Sequence, residues 1–131
     1  MKTLKVIIEK SKDSYSAYSE NFPQINGMGD SLQEVKGSVL NSIEIIKGFE
    51  ARQIPSILKT EYQIEWKLDV ASLLNYYKPV FNQSGLAKVA GINEKLLNHY
   101  ATGEKKPGAA QVKKIEVALH QLGKELLAVE L

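Results

Sequence analysis

The chain has no cysteine in 131 residues. That excludes disulfides, thiolate nucleophiles and thiolate metal sites together, and it fits a reducing, cytoplasmic setting. Histidine is almost as scarce, with only His99 and His120. Neither stands near a Ser–Asp pair or at a ligand spacing such as HxxxH, so histidine-centred hydrolysis and zinc binding have no basis in the sequence. No GxxxxGK[ST] or GxGxxG run is present, which removes the common phosphate and dinucleotide loops.

Long apolar runs are missing as well. The opening MKTLKVIIEKSK returns to charge after a few apolar residues. That is too few for a signal-peptide core, and nothing approaches the roughly 20 apolar residues of a membrane span. No internal repeat or low-complexity tract is visible. A hydrophobic content of 44 % with 24 % charged residues marks a folded globular chain, and its length suits one domain or two small ones.

Charge is unevenly placed. The net value is +2, yet residues 71 to 114 hold seven lysines (78, 88, 95, 105, 106, 113 and 114) against Glu94 and Glu104. That window is +5 and leaves −3 for the remainder. One basic segment in a mildly acidic chain is what a single polyanion-facing region looks like, and it is also what a solvated helix face looks like.

Periodicity divides the chain near residue 69. Leu4, Val6 and Ile8 alternate with Lys5, Ile7 and Glu9, which predicts a strand; SKDS supplies turn chemistry, and YSAYSE a second strand of a hairpin. Phe22-Pro23 ends that strand, and QINGMG offers a short third. Ser31 and Glu34 form a capping-box pattern before Leu32, Val35, Val39, Ile43, Ile46 and Phe49, an apolar stripe suited to covering a sheet. Gly48 and Pro55 bracket its end. TEYQIEWKLD then alternates cleanly, with Tyr62, Ile64, Trp66 and Leu68 on one face. Beyond Asp69 the spacing is helical: VASLLNYYK, SGLAKVA, NEKLLNHYA and AAQVKKIEVALHQLG predict four short helices. The expected fold is α+β, a small antiparallel sheet with one packed helix over residues 1 to 69, then an all-α bundle over residues 70 to 131.

In the second half, LAKVAGINEKLLNHYATGEKKP resembles the helix-turn-helix of the lambda-repressor (Cro-type) family across most of residues 70 to 123. The matching positions are Gln83, Leu86-Ala87, Ala90-Gly91-Ile92, Leu97, Tyr100, Gly103, Lys105 and Pro107. Gly91 suits a positive-φ turn, Ile92 an anchored corner, and Asn93 an N-cap. The resemblance implies a recognition helix whose exposed side, Glu94, Lys95, Asn98 and His99, reads base edges of double-stranded operator DNA. Gln83, Lys88, Lys105 and Lys106 are expected nearer the phosphates. Glu94 and Leu96 depart from the family's usual arginine or serine, which leaves open which bases are read.

The N-terminal half is similar to the HicB antitoxin family. A hairpin, an xLPx-type turn and a GDS/T helix start recur there in this order, as KSKDSYSAYSE, NFPQ and MGDSLQEV do here. The likeness covers about the first 50 residues, and a C-terminal helix-turn-helix is a known attachment in that family. Gln24-Ile25 replaces the frequent Gly-Cys, and Asn21 stands where an acid is common. The resemblance implies a partial RNase H-like sheet that neutralises a small RNA-cleaving toxin of the HicA type and represses the shared operon. The toxin-facing surface is then expected around Tyr15, Tyr18, Phe22 and Ile25, with at least two of these four serving the core instead. A stand-alone transcription regulator with a sensing or dimerising first domain is the alternative.

An RNase H-type nuclease would need converging carboxylates for metal ions. Glu9, Asp13, Glu20 and Asp30 are the candidates, three of them at turns or strand ends, so neither a catalytic site nor a cofactor or metal is expected. Paired half-sites imply a homodimer. The tail GKELLAVEL, with Leu126, Leu127, Val129 and Leu131, is expected to pack on a second copy, to pair as a strand across a dimer axis, or to dock on its own last helix.

Overall fold

The computed structural model describes all 131 residues. They fall into two compact units, Met1–Ser72 and Leu73–Leu131. The first is α+β, and the second is helical.

Alternation in the sequence becomes a sheet because every second side chain can share one covered face. β1 (Lys2–Lys10), β2 (Tyr15–Ser19) and β3 (Asn26–Gly29) form a meander, and β4 (Tyr62–Leu68) joins the free side of β1. The order is β3-β2-β1-β4. β4 runs parallel to β1, from Lys2 opposite Tyr62 to Ile8 opposite Leu68. The sheet is therefore mixed, which corrects the antiparallel expectation. The cause is the connection: between β3 and β4 the chain crosses as a helix, and a crossover returns a strand in the direction of the one it left.

That helix, α1 (Leu32–Lys47), starts where the sequence predicts. Ser31 Oγ accepts from the Glu34 N–H at 3.1 Å, and Glu34 Oε2 accepts from the Asp30 N–H at 2.8 Å. Leu32, Val35, Val39, Ile43 and Ile46 are all buried against Leu4, Val6, Ile8, Tyr15, Ala17 and Ile25. Phe49 is not part of the stripe; it lies beyond the Gly48 cap and is 46 % exposed. Two 3-10 turns that alternation did not reveal, Ala51–Gln53 and Ser56–Lys59, follow, and the second buries Ile57 and Leu58 in the same core.

β3 carries glycine where α1 crosses closest. A Cβ at Gly27 would lie 2.7 Å from the Val39 backbone nitrogen, and one at Gly29 would lie 2.6 Å from that of Val35. At the other side of the sheet the cover thins. Tyr62, Ile64, Trp66 and Leu68 are only partly buried, with Lys36 Nζ 5.4 Å from the Trp66 ring centroid and Lys47 Nζ 5.6 Å from that of Tyr62.

Asp69 closes this unit. Its carboxylate accepts from the Lys10 N–H at 3.1 Å and from the Ser72 N–H at 2.8 Å, so it holds the end of β1 while capping α2 (Val70–Tyr76).

In the second unit α3 (Gln83–Ala90), α4 (Glu94–Thr102) and α5 (Ala109–Leu127) bury Leu86, Ala87, Ala90, Ile92, Leu97, Tyr100, Ile115 and Ala118. Asn75 Nδ2 donates to the Ala101 carbonyl at 2.7 Å, tying the end of α2 to that of α4. Two of the three expectations for the tail are corrected, strand pairing and docking on its own last helix. Residues 123 to 127 continue α5, so they form no strand, and Leu126, Leu127, Val129 and Leu131 are exposed rather than docked. Gly123 lies inside α5, which ends five residues later in an αR cap at Ala128.

Gly27→Ala tests the seating of α1. The added methyl meets main chain that cannot swing aside, so unfolding stability should fall by about 1–3 kcal/mol in denaturant titration. Wild-type stability in that variant would mean that α1 does not sit so close.

Candidate nucleic-acid interface

The basic window runs from α2 through α3 and α4 into the first turns of α5, and the geometry at its centre starts from two caps. Asn82 Oδ1 accepts from the Gly85 N–H at 3.1 Å and starts α3; Asn93 Oδ1 accepts from Lys95 N–H at 2.9 Å and Leu96 N–H at 3.3 Å and starts α4. Between them Gly91 adopts φ +70°, ψ 36°, the left-handed region that costs other residues steric energy. The Ile92 N–H returns to the Ala87 carbonyl at 2.9 Å, and the Ile92 side chain is buried. Three residues thus reverse the chain between the two helices.

α4 is anchored by Leu97 and Tyr100, 0 % and 4 % exposed. Helical spacing turns Glu94, Lys95 and Asn98 to solvent, and all three are exposed. Glu94 also stands in the first turn of α4, where an acid complements the helix dipole, so its presence has a structural reason. His99 differs from expectation. It is half-buried, its Nε2 lies 3.1 Å from Glu104 Oε2, and its Nδ1 is buried without a partner. One position past Asn98, it lies toward Glu104 in the closing loop and presents less surface to solvent than the exposed triad.

Gly103, at φ +82°, ends α4, and the Lys105 N–H donates to the His99 carbonyl at 3.2 Å. Lys105 and Lys106 are exposed on the loop that follows, and Lys88 is exposed on the last turn of α3. Gln83 is only partly exposed, as the first residue of α3. Lys113 and Lys114, counted in the window without an assigned contact, are exposed in the first turns of α5, with Lys113 Nζ 3.4 Å from Glu116 Oε1.

The residues expected to face a protein partner scatter. Tyr15 and Ile25 are 7 % and 0 % exposed and belong to the core under α1, so neither presents contact surface. The cause is pairing: Tyr15 shares the covered face with Ala17, and the Ile25 N–H is held by the Phe22 carbonyl at 2.8 Å, which turns its side chain inward. Phe22 packs partly against the same core. Only Tyr18 stands on the uncovered face, with Lys5, Met28, Glu65 and Lys67. Its hydroxyl donates to Glu9 Oε1 at 3.1 Å, and that bond, ahead of desolvation and of the Glu9 and Glu20 charges, raises its pKa. Burial, with the Asp69 charge second, raises that of Tyr15. No group of three acidic or histidine side chains gathers at metal-ligating distance, and no helix is long and apolar enough to cross a membrane.

No protein-family model, curated protein or solved structure matches the chain.

Two measurements check this geometry. Gly91→Ala places a methyl in open space, so its cost is backbone strain alone, about 1–2 kcal/mol; an unchanged melting curve would contradict the left-handed turn. Because Tyr18 is favoured as the neutral phenol, its stabilisation is whole below the ordinary tyrosine range and is lost as pH rises through the raised folded value. Tyr18→Phe should therefore remove part of the late, alkaline limb of an ultraviolet titration. A limb of unchanged shape would break the Tyr18–Glu9 assignment.

Proposed function

We propose that this chain is an antitoxin and autorepressor: the helical unit binds operator DNA through α4, and the sheet unit binds and neutralises a small RNA-cleaving toxin. One observation carries the DNA-binding reading. A three-residue turn built on Gly91 starts α4 with Lys95 and Asn98 exposed and with Leu97 and Tyr100 buried behind them. Lysine donates to guanine O6 and N7, and asparagine pairs with adenine N6 and N7, so this surface has the chemistry of major-groove readout. Lys88, Lys105 and Lys106 supply charge for phosphates without reading sequence.

The toxin-binding reading rests on the hairpin, the NFPQ turn and the GDS start of α1, which recur as in the HicB family. The burial of Tyr15 and Ile25 removes half of the surface expected for that role. A stand-alone transcription regulator, whose first unit senses a small molecule or dimerises, is the second reading.

Selection from a random duplex pool should yield a preferred site. Lys95→Ala with Asn98→Ala should then cost roughly thirtyfold to ten-thousandfold in preference over random DNA, two base contacts at about 1–3 kcal/mol each. His99→Ala should leave the preference intact. Lys105→Ala with Lys106→Ala should weaken all duplexes alike and flatten the salt dependence by about two counterions. A double variant that still selects the same site would refute the groove assignment. Co-expression with the product of the neighbouring small open reading frame separates the two readings. Growth arrest by that product alone, relieved in a complex through residues 1 to 69, supports the antitoxin; a harmless or unbound neighbour leaves the regulator.

A further inference from the structure

The free edge of the sheet carries an inference independent of the DNA and toxin readings. β4 is paired on one side only. The Lys2 N–H bonds to the Glu61 carbonyl at 3.2 Å, and the Asp69 N–H bonds to the Ile8 carbonyl at 3.0 Å. In a parallel ladder alternate residues point their amides to the neighbour and the others away. The odd-numbered residues of β4 therefore face β1, and Tyr62, Ile64, Trp66 and Leu68 aim their N–H and C=O groups outward. These four also form the thinly covered end of the core. The edge is seven residues long and has none of the proline or glycine that interrupts exposed edges elsewhere. The opposite edge, β3, is four residues with two glycines.

We propose that β4 pairs antiparallel with β4 of a second copy, across a two-fold axis at Trp66. Charge favours one register, since an axis at Ile64 would set Gln63 against Glu65 and pair no opposite charges within β4. Any symmetric pairing that keeps the covered faces together sets an odd residue against an odd one. An axis at Glu65 would oppose that carboxylate to its own copy, which is repulsive. An axis at Trp66 sets Glu65 against Lys67 of the second copy, twice, at the close-spaced positions of the ladder. The same axis puts Trp66 against Trp66 and Ile64 against Leu68, all with outward amides, so that hydrogen bonds and apolar cover arise together. Glu65 already lies 3.8 Å from Lys5 on that face and would accept a second lysine there. Glu65 and Lys67 are exposed and outside the core, so they can be replaced without touching the fold.

Because the chain has no cysteine, Glu65→Cys and Lys67→Cys report the register directly. Full-length Glu65→Cys and Lys67→Cys proteins, mixed and oxidised at micromolar concentration, should give a disulfide-linked dimer at several times the yield of either alone. In sedimentation equilibrium, Glu65→Lys or Lys67→Glu alone should raise the dissociation constant at least fivefold, and the combined swap should restore it to within twofold of wild type. Cross-linking by Glu65→Cys alone, no cross-link in the mixture, or self-association indifferent to both charge changes would each overturn the proposal.

Discussion

Everything in the first unit depends on how closely α1 can lie on the sheet. The distance is set by backbone against backbone: Gly27 and Gly29 let β3 approach the helix where a Cβ would fall inside 3 Å of main-chain nitrogen. At that distance Val35 and Val39 reach 0 % exposure, as do Val6, Ile8 and Ile25 beneath them. A helix held farther out would loosen this packing, and interiors tolerate little loss of contact. The helix lies closest over β3 and β2, so β4 at the far edge keeps a half-exposed inner face, and the outer face keeps Tyr18, Met28 and a mixture of charges.

The second unit solves a different problem with fewer parts. Its helices are short, eight and nine residues for α3 and α4, and helices of that length do not persist by themselves in water. Side-chain caps at Asn82 and Asn93 and left-handed glycines at 91 and 103 fix where each begins and ends. The exposed face of α4 is a by-product of that fixing: once Leu97 and Tyr100 are buried, helical geometry leaves no other direction for Lys95 and Asn98. His99, one step further round, is captured by Glu104 instead.

Local patterns in the sequence were legible, and long-range pairings were not. Alternation located β1, β2 and β4, the Ser31 box located the start of α1, and Gly91 located the turn, because each is settled by neighbours within four residues. The parallel partner of β4 lies about sixty residues away and leaves no local mark. Neither do the two 3-10 turns, whose Ile57 and Leu58 fill space created by other elements. In the candidate site, exposure of Lys95 and Asn98 followed from helix periodicity, whereas the capture of His99 needed the position of the following loop. That at least two of Tyr15, Tyr18, Phe22 and Ile25 would serve the core was expected, but which two was not legible: an aromatic or β-branched residue there suits a contact surface and a core equally, and only the helix above decides.

The pairing of Lys2 with Tyr62 has a consequence for the order of events during synthesis. β1, an inner strand of its sheet, leaves the ribosome well before β4 and stays half-paired until Leu68 has emerged. Through that interval a growing chain exposes Leu4, Val6 and Ile8 beside a hairpin that can shelter them only in part. The helical unit, with partners close in sequence, closes quickly once made, since local contacts demand little loop-closure entropy. The sheet unit, made before the helical one, is the slower to close, so the window of vulnerability to proteases and aggregation belongs to it.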